Sequence, residues 1–364
     1  MYDAIIVGAG PAGSSAAIHC NKLGLKTLIL EKSKFPRDKI CGDALSGKSV
    51  KFLDDLNLLE GLDKIDGAVI KRIIFGNPNH SECELHLNKS LNKKHINHGY
   101  VIPRKTFDNY LFNHASSVSD SETGFQVLDL LYEKNNVIGV KGSFDNGEEK
   151  EFFANVIIGA DGPYSIVSRK TGCYNADGKY TAVGLRCYYE NIGGLTDQIE
   201  LHYVGETIPG YFWIFPIGNN KANIGVGLLK SRAKKKSLKL YDIMQKVINS
   251  ENFINRFKNA IALEKPKGWN LPFGNIKDVK AAWTALQAAG PGMKQSNEFY
   301  QELLRLGVVN SNVRLKQVQD LLQDANFGAI LNNKNSDWAL NKLMKKFSKI
   351  KKGAEDFYTA EDDF

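Results

Sequence analysis

A single cysteine, Cys41, stands between two charged turns in the stretch KFPRDKICGDAL, residues 34–45. A cysteine in this setting could bind a metal, form half of a disulfide, fill space in a core or belong to a reactive pocket. A thiol with the ordinary pKa of about 8.5 is protonated at neutral pH and can donate a proton. The chemistry open to Cys41 therefore depends on the groups that the rest of the chain brings beside it.

The spacing of the other cysteines argues against disulfides and structural zinc. The chain has five cysteines, far apart and never in a CxxC pair, and an odd, scattered set does not form a disulfide framework or a zinc ribbon. Five Cys and His residues do cluster within nineteen positions: His80, Cys83, His86, His95 and His98. Such spacing can bind zinc, but residues 83–86 alternate apolar with polar side chains as in an exposed hairpin strand, so we predict no metal site.

A glycine motif near the start of the chain predicts a phosphate-binding turn. Gly8, Gly10 and Gly13 form G-x-G-x-x-G between the β-branched run 4–7 and an amphipathic helix that ends near Gly24. The three glycines permit, in order, a tight turn, the approach of a pyrophosphate and close packing of helix on sheet. The helix N-terminus adds unpaired N–H groups and a positive dipole end.

The next apolar run, KTLILE, ends at Glu31. A carboxylate at the end of this strand can accept hydrogen bonds from both ribose hydroxyls and would repel a 2′-phosphate. We therefore expect the bound nucleotide to be FAD or NAD rather than NADP.

A second strand–turn–helix unit, ANVIIGADGPYSIVSRKTG at residues 154–172, distinguishes between these two. It resembles the G-A-D-G-x-x-S-x-V-R segment of FAD-dependent oxidoreductases of the aromatic-hydroxylase and geranylgeranyl-reductase superfamily, with Ser168 inserted between Val167 and Arg169. The resemblance implies that Asp161 lies near the flavin and its pyrophosphate.

Residues 100–115, YVIPRKTFDNYLFNHA, resemble the R-x-x-F-D-x-x-L helix start of the same superfamily. The resemblance implies that Arg104 packs near the flavin, and Asp108 on the next turn could anchor the helix. An ordinary amphipathic helix with a basic first turn stays open as the alternative.

Two further segments resemble the geranylgeranyl reductase family in particular. They are PRDKICGD, similar to that family's P-R-x-K-x-C-G-G/D, and GYFWIFPIGNNKANIGVGL at residues 210–228, similar to its Y-x-W-x-F-P and G-x-x-x-x-N-x-G-x-G pair. Together the resemblances cover most of residues 1–275. They imply reduction of isolated double bonds in isoprenoid chains on lipids, chlorophyll side chains or quinones, with flavin as the hydride relay.

Tyr211, Trp213 and Phe215 alternate along one face of a predicted strand and are called here the aromatic ladder. The ladder could form the core side of a sheet. Beside a flavin it also suits a long apolar substrate, because aromatic faces bury polyprenyl chains without demanding hydrogen bonds. Four neighbours fit turns and close backbone approach near the flavin ring: Pro216, Gly218, Gly225 and Gly227.

The resemblance puts Cys41 and Gly42 beside the isoalloxazine, at the mouth of the substrate pocket. Our hypothesis is that Cys41 shapes this pocket and donates a proton to the carbon opposite hydride delivery, because an unactivated alkene accepts hydride poorly unless a proton arrives in concert. A small buried residue that fills space is the alternative. The residues assigned to the cofactor are Gly8, Gly10, Pro11, Ala12, Gly13, Glu31, Lys32, Cys41, Gly42, Arg104, Asp161 and Gly162; those assigned to the substrate are Tyr211, Trp213, Phe215 and Pro216.

Composition excludes few partners. The apolar fraction of 43% is that of a globular protein, and the net charge of +8 arises from 48 basic against 40 acidic residues. The basic runs 232–236 and 345–352 favour solvated helix faces over a nucleic-acid site, while contact with an anionic membrane surface stays open. We predict no signal peptide and no spanning segment, and hence a cytoplasmic protein, for which peripheral association with a membrane stays open. With no second G-x-G-x-x-G, the electron donor would be transiently bound NADPH or a ferredoxin-like protein, and the net charge mildly favours an acidic partner.

The pattern predicts an α/β fold. A Rossmann-like FAD-binding domain of residues 1–75 and 100–175 is interleaved with an antiparallel-sheet substrate domain of residues 76–99 and 176–278, which includes one helix over 232–250. Residues 279–364 are predicted as a tail of three or four short helices. This tail lacks the family's strand and G-D-A-A-G-type turn, whose Asp would contact the flavin ribityl; the stretch AAGPGM, 288–293, has no Asp. The abrupt change of sequence pattern near residue 279 favours a segment of other origin joined to the family sequence.

Two other functions share part of this pattern. A flavin monooxygenase or halogenase would have the first two motifs but not the Cys-Gly-Asp and aromatic-Pro segments. A non-catalytic relative, unable to hold FAD because the third motif is missing, would be colourless.

Overall fold

A computed structural model describes residues 1–79, 81–87, 98–134, 136–174, 181–208, 210–235 and 239–272. All of them belong to the first of two units of the chain, Met1–Pro272. The predicted tail helices and the AAGPGM stretch belong to the second, Phe273–Phe364, and lie outside the described residues, as do His80 and His95.

A six-stranded sheet carries the N-terminal glycine motif. Its strands are β1 (Tyr2–Val7), β2 (Thr27–Glu31), β8 (Asp120–Thr123), β9 (Phe125–Glu133), β10 (Asn136–Phe144) and β11 (Glu149–Gly159). The order is β8-β2-β1-β11-β10-β9, parallel from β8 to β11 and antiparallel from β11 to β9. All five residues of β2 are buried, as expected for a parallel strand covered on both faces.

Two helices cover one face of this sheet. Helix α1 (Pro11–Lys22) follows β1 directly, and α4 (Arg104–Val118) packs against it in a core that includes Ile6, Ile29 and Leu111. From Ala154 to Gly159, β11 pairs with β1 alone among the described strands. A further parallel strand would extend the sheet at this free side of β11.

An eight-stranded sheet forms the second layer. Its strands are β5 (Arg72–Gly76), β6 (Glu82–His86), β12 (Thr181–Glu190), β13 (Gln198–His202), β14 (Gly210–Gly218), β15 (Lys221–Leu229), β16 (Ile261–Ala262) and β17 (Lys267–Pro272). The order is β16-β12-β15-β14-β13-β5-β6, with β17 also on β12. Strand β5 spans the domain boundary predicted at residue 75; the predicted division into cofactor and substrate domains stays a prediction.

The remaining elements are short. They are β3 (Ala44–Leu45), β4 (Ala68–Ile70) and β7 (Gly99–Val101), which form a three-stranded sheet, and the helices α2 (Gly47–Asp55), α3 (Leu59–Leu62), α5 (Ile166–Lys170), α6 (Lys230–Lys235), α7 (Leu240–Ile248) and α8 (Ile254–Phe257). The predicted α/β fold with an interleaved, largely antiparallel sheet is confirmed.

The prediction of one helix over 232–250 is wrong. Helix α6 ends at Lys235, and Lys239, the N-cap of α7, has an extended backbone with ψ 121°. The buried face of α7, which includes Ile243, Met244 and Val247, begins only after this residue. A single helix cannot pass through the extended Lys239, so α7 is a separate helix built on this buried face. Across the described part of the chain, no helix is both long and apolar enough to span a membrane.

Candidate functional site

The turn between β1 and α1 closely fits its glycines. A Cβ placed on Gly13 would lie 1.8 Å from the carbonyl oxygen of Gly8, so only glycine lets α1 lie this close to the turn. No described side chain caps the N-terminus of α1, and its first turn has no acidic residue. Its open N–H groups and positive dipole end are therefore available to an anion. The predicted cofactor residues Pro11 and Ala12 are the first two residues of this helix.

Glu31 lies beside the same turn. Its Oε2 accepts a hydrogen bond from the Ala9 N–H at 2.8 Å, and its Oε1 accepts one from the Ser33 N–H at 2.9 Å. These two bonds fix the carboxylate at the end of β2, and each oxygen has a further lone pair to offer. The assignment of Glu31 to a ribose stays a prediction.

One buried carboxylate holds two arginines at this turn. Asp108 is fully buried; its Oδ2 accepts from Arg37 Nη1 at 2.7 Å and from Arg104 Nη2 at 2.8 Å, and its Oδ1 accepts from Arg104 Nε at 2.5 Å. Burial alone would lower the pKa of Arg104, but the bonds and charge of Asp108 raise it instead. A Cβ on Gly10 would lie 3.5 Å from Arg37 Nη2. Arg37 Nη2 also lies 3.8 Å from Glu31 Oε2, so the two guanidinium charges are balanced by two carboxylates. Arg37 still has N–H groups near Gly10 that suit a pyrophosphate oxygen.

Asp161 comes to the same place from β11. A Cβ on Gly8 would lie 2.8 Å from the Asp161 Cα, so the two turns are in contact. Asp161 Oδ2 accepts from the Ile166 N–H at 2.6 Å at the start of α5, while its buried Oδ1 has no hydrogen-bond partner among the described residues. A buried carboxylate oxygen without a donor is costly unless a ligand supplies one.

These parts fit a dinucleotide cofactor. We call residues 8–13, Glu31, Arg37 and Asp161 the cofactor cradle; it combines an uncapped helix N-terminus, a cation for phosphate, a carboxylate for ribose and an acceptor that lacks a donor. Nearby cations reinforce the positive field, since burial and the charges of Arg104, Lys32 and Arg37 lower the pKa of Lys39. The predicted Gly162 follows Asp161 with φ +83°, in the turn before α5.

The Cys41–Gly42 turn meets the aromatic ladder. A Cβ on Gly42 would lie 3.1 Å from Phe215 Cε2 and 4.0 Å from Trp213 Nε1. The ladder rings follow each other along β14, with centroids 6.0 Å apart for Tyr211 and Trp213 and 6.2 Å apart for Trp213 and Phe215. Pro216, the last residue assigned to the substrate, follows Phe215 in the same strand.

The close approach at Gly225, expected near the flavin ring, is made by the Trp213 indole. A Cβ on Gly225 would lie 2.2 Å from Trp213 Cζ2. The glycine therefore gives the indole room to pack on β15, and the indole excludes any side chain at position 225.

The Cys41 side chain lies between the cradle and the ladder. It is partly buried, and it lies near the Arg104 guanidinium, whose pKa it helps to raise. Burial raises the pKa of Tyr211, and the neighbouring Tyr203 and Cys41 raise it further. The structure thus brings Cys41, Arg104 and Tyr211 to one place, although their sequence positions are far apart.

Four residues outside the sequence-based assignments complete this region: Arg37, Asp43, Tyr188 and Asn223. Asn223 Nδ2 donates to the Cys41 carbonyl oxygen and to Asp43 Oδ2, each at 2.8 Å, and Tyr188 donates to Asp43 Oδ2 at 2.6 Å. Three of the four lie inside the quoted family segments and could have been flagged there. Tyr188 lies in β12 with no motif around it.

The described members of the cysteine–histidine cluster lie in two places, since His98 precedes β7, with its Nε2 3.1 Å from the Tyr100 hydroxyl oxygen. Cys83 and His86 belong to β6, which is largely exposed and pairs with β5. Within the described ranges, no three His, Cys, Asp or Glu side chains are grouped to hold a metal ion.

Comparison with known proteins identifies the family of the chain. A family model described as an FAD binding domain matches residues 1–235. The chain is 30% identical to digeranylgeranylglycerophospholipid reductase of Methanosarcina acetivorans over 305 residues, which cover 82% of this chain and 70% of the relative. It is 32% identical over 238 residues to digeranylgeranylglycerophospholipid reductase 2 of Methanococcoides burtonii, covering 64% of this chain but only 56% of that relative's length.

Solved structures show the same fold at lower identity. A geranylgeranyl bacteriochlorophyll reductase-like protein of Thermoplasma acidophilum matches with a TM-score of 0.67 at 19% identity, covering 98% of each chain. A variant of a flavin-dependent brominase matches with a TM-score of 0.68 at 20% identity, covering 98% of this chain and 100% of its own. The fold alone does not separate reductase from brominase, whereas both of these sequence relatives are reductases by name. The chain belongs to the geranylgeranyl reductase family of FAD-dependent oxidoreductases.

Proposed function

We propose that this protein reduces isolated double bonds of an isoprenoid chain carried by a lipid. The observation that carries the proposal is the contact of the Cys41–Gly42 turn with the aromatic ladder, beside the cofactor cradle. The names of the relatives, digeranylgeranylglycerophospholipid reductases, support the substrate class.

The aromatic ladder would hold the isoprenoid chain. Trp213 and Phe215 are largely buried, and Tyr211 is partly buried in the same cluster. Aromatic faces gain from burying an alkyl or alkenyl chain and set no requirement for hydrogen bonds along it. The ladder would therefore position a long apolar substrate with its double bond near Cys41.

Each group of the cradle would hold one part of FAD. The N-terminus of α1 and Arg37 would bind the pyrophosphate, Glu31 the adenosine ribose, and Asp161 Oδ1 would accept from a hydroxyl of the cofactor. When bound and reduced, FAD supplies the hydride. The reducing equivalents would come from transiently bound NADPH or a ferredoxin-like protein, and a peripheral contact with the membrane would give access to the lipid.

Cys41 would donate the proton that balances hydride addition. Its thiol S–H bond would break as a C–H bond forms on the alkene carbon opposite the hydride, and solvent would return the proton afterwards. Arg104, within reach of the sulfur, would stabilise the thiolate left behind.

A Cys41→Ser variant is expected to keep its FAD and lose about 100-fold in turnover, the lower end of the range for general acid catalysis, because the serine hydroxyl is a far weaker acid. Anaerobic single-turnover oxidation of the reduced protein by a geranylgeranyl lipid measures this loss. The exposed Cys83→Ser variant is the matched control and should turn over normally. Full turnover by Cys41→Ser with full FAD content would eliminate the proton-donor role.

The reaction itself is tested on the full-length protein. Its visible absorption spectrum should show the flavin bands, with FAD released on denaturation. During anaerobic incubation with the reduced protein, digeranylgeranylglycerophospholipid should gain one H2 for each double bond that is reduced. Mass spectrometry measures this gain. A hydroxylated or halogenated product that forms only with oxygen would point to a monooxygenase or halogenase instead. A folded but colourless protein would point to a non-catalytic relative.

A further inference from the structure

Asp43 is a buried carboxylate with no role in the reaction above. It is 1% exposed, and its φ of 70° lies in the left-handed region that few non-glycine residues adopt. Its Oδ2 accepts from the Tyr188 hydroxyl at 2.6 Å and from Asn223 Nδ2 at 2.8 Å, and its Oδ1 accepts from the Arg104 backbone N–H at 3.3 Å. A buried carboxylate in a strained conformation needs such partners to persist.

The hydrogen bonds around Asp43 run in one direction. The Trp213 indole N–H donates to Asn223 Oδ1 at 2.9 Å, so the amide of Asn223 must turn its Nδ2 toward the Cys41 carbonyl and Asp43. If the amide were reversed, its Nδ2 would face the Trp213 N–H, donor against donor. Its Oδ1 would face the Cys41 carbonyl and Asp43 Oδ2, acceptor against acceptor. Asp43 is therefore the final acceptor of a chain that begins at the ladder.

We propose that Asp43 is a positioning residue for the reaction: its carboxylate, through Asn223 and Tyr188, fixes the Trp213 indole and the Cys41–Gly42 turn against each other, and loss of its charge loosens this link. The effect on catalysis, alignment of the thiol with the substrate, rests on the proposed function. The link itself is given by the hydrogen-bond geometry.

Protonation affects the link because two of the three donors cannot become acceptors. The Asn223 amide N–H and the Arg104 backbone N–H only donate, so a protonated Asp43 could donate only to the Tyr188 oxygen, and Tyr188 would have to reverse its own bond. The shared Oδ2 would then lose much of its pull on Asn223. Trp213, at the far end of the chain, would report the change.

The burial of Asp43 shifts this transition to mildly acidic pH. Burial raises the pKa of Asp43 to about 6, against the opposing hydrogen bonds of Tyr188 and Asn223, the charge of Arg186 and the backbone bond of Arg104. The charged and titratable groups of the packed elements are Arg186 and Tyr188 of β12, the side chains of Arg104 and Asp108 of α4, Cys41 and Asp38 of the same loop, and Glu264, which pairs with Arg186. Since Asp43 is an acid, its acceptor state is present above this pH and is lost below it.

The test follows the Trp213 indole N–H resonance in the ¹⁵N-labelled full-length protein as purified, assigned with a Trp213→Phe variant, between about pH 5 and pH 7.5. In the wild type we expect the resonance to titrate with a midpoint near pH 6. In Asp43→Asn the resonance should not titrate. Its chemical shift should differ from that of the wild type at every pH, since the introduced amide places an N–H donor against another donor. Asparagine tolerates the left-handed backbone of this position.

Tyr188→Phe gives an independent arm. Removing the hydroxyl removes a bond that lowers the pKa of Asp43, so the midpoint should move upward. Tyr189→Phe is the matched control, because Tyr189 packs in the core on the other face of β12, and it should leave the midpoint unchanged. The Trp269 indole N–H, which has no hydrogen-bond partner among the described residues, serves as the internal reference.

The proposal is overturned if Trp213 does not titrate in this range, if Asp43→Asn titrates like the wild type, or if Tyr188→Phe leaves the midpoint in place. No substrate or turnover enters this measurement. If the reductase assay fails but the Trp213 resonance titrates as expected, only the proposed reaction is overturned. If the protein is an active reductase but the Trp213 resonance does not titrate, only the positioning role is overturned.

Discussion

A Gly13→Ala variant is expected to lose most of its FAD and about 1–3 kcal/mol of stability, the typical cost of overpacking a close contact. The new Cβ would lie 1.8 Å from the Gly8 oxygen and 2.9 Å from the Gly8 carbonyl carbon. Both are backbone atoms of the turn itself, so no side chain can rotate away to relieve the contact. Helix α1 must move by on the order of 1 Å to reach normal contact distance, which carries its N–H groups away from the pyrophosphate.

The measurement is the flavin absorbance per protein after purification, together with urea unfolding of the full-length chain. If the misfit costs about 1–3 kcal/mol of binding free energy, FAD affinity falls by about 5- to 150-fold. Gly47→Ala is the matched control, because Gly47 is the first residue of α2 and a Cβ there meets no atom within 4 Å. It should be neutral or up to about 1 kcal/mol more stable, as alanine favours the helix. A Gly13→Ala protein that is as yellow and as stable as the wild type would contradict the role assigned to this turn.

The cradle residues other than Arg37 could be predicted from the sequence because they are close along the chain or belong to a repeated local motif. Gly8, Gly13 and Glu31 lie within one strand–turn–helix–strand unit, where spacing alone fixes which groups meet. The aromatic ladder was likewise predicted from period two, and β14 places its three rings on one face.

The links between the two sheets could not be predicted in this way. Asp43 meets Asn223 across 180 positions and Tyr188 across 145. Arg186, 1% exposed, pairs with Asp38 across 148 positions and with Glu264 across 78. A charged residue in a strand is normally assigned to the solvent face, and only the arrival of two distant carboxylates makes its burial tolerable. Periodicity carries no information about such partners.

Asp108→Asn is expected to cost about 3–5 kcal/mol of unfolding free energy, the loss found when one partner of a buried ion pair is removed. Asp108 is fully buried and pairs with two guanidinium groups, those of Arg37 and Arg104, whose side chains are only 17% and 18% exposed. An amide has one acceptor oxygen where the carboxylate offers two, so at least one of the three hydrogen bonds to Asp108 is lost. The two arginines would then repel each other with no negative charge between them.

The loss would extend to the cofactor, since Arg37 is held beside Gly10 by its bond to Asp108 and Arg104 reaches Cys41 from the same anchor. Chemical denaturation of the full-length chain gives the stability, and flavin absorbance after purification gives the FAD content. The matched control is Asp145→Asn, which removes an exposed carboxylate 3.7 Å from Lys34; an ion pair of this kind contributes about 0–1 kcal/mol. Equal, small losses in the two variants would mean that Asp108 behaves as a surface charge and that the arginines are positioned by other contacts. A large loss confined to Asp108→Asn, with FAD lost in parallel, would make this one carboxylate the shared support of the pyrophosphate cation and of the residue beside the Cys41 thiol.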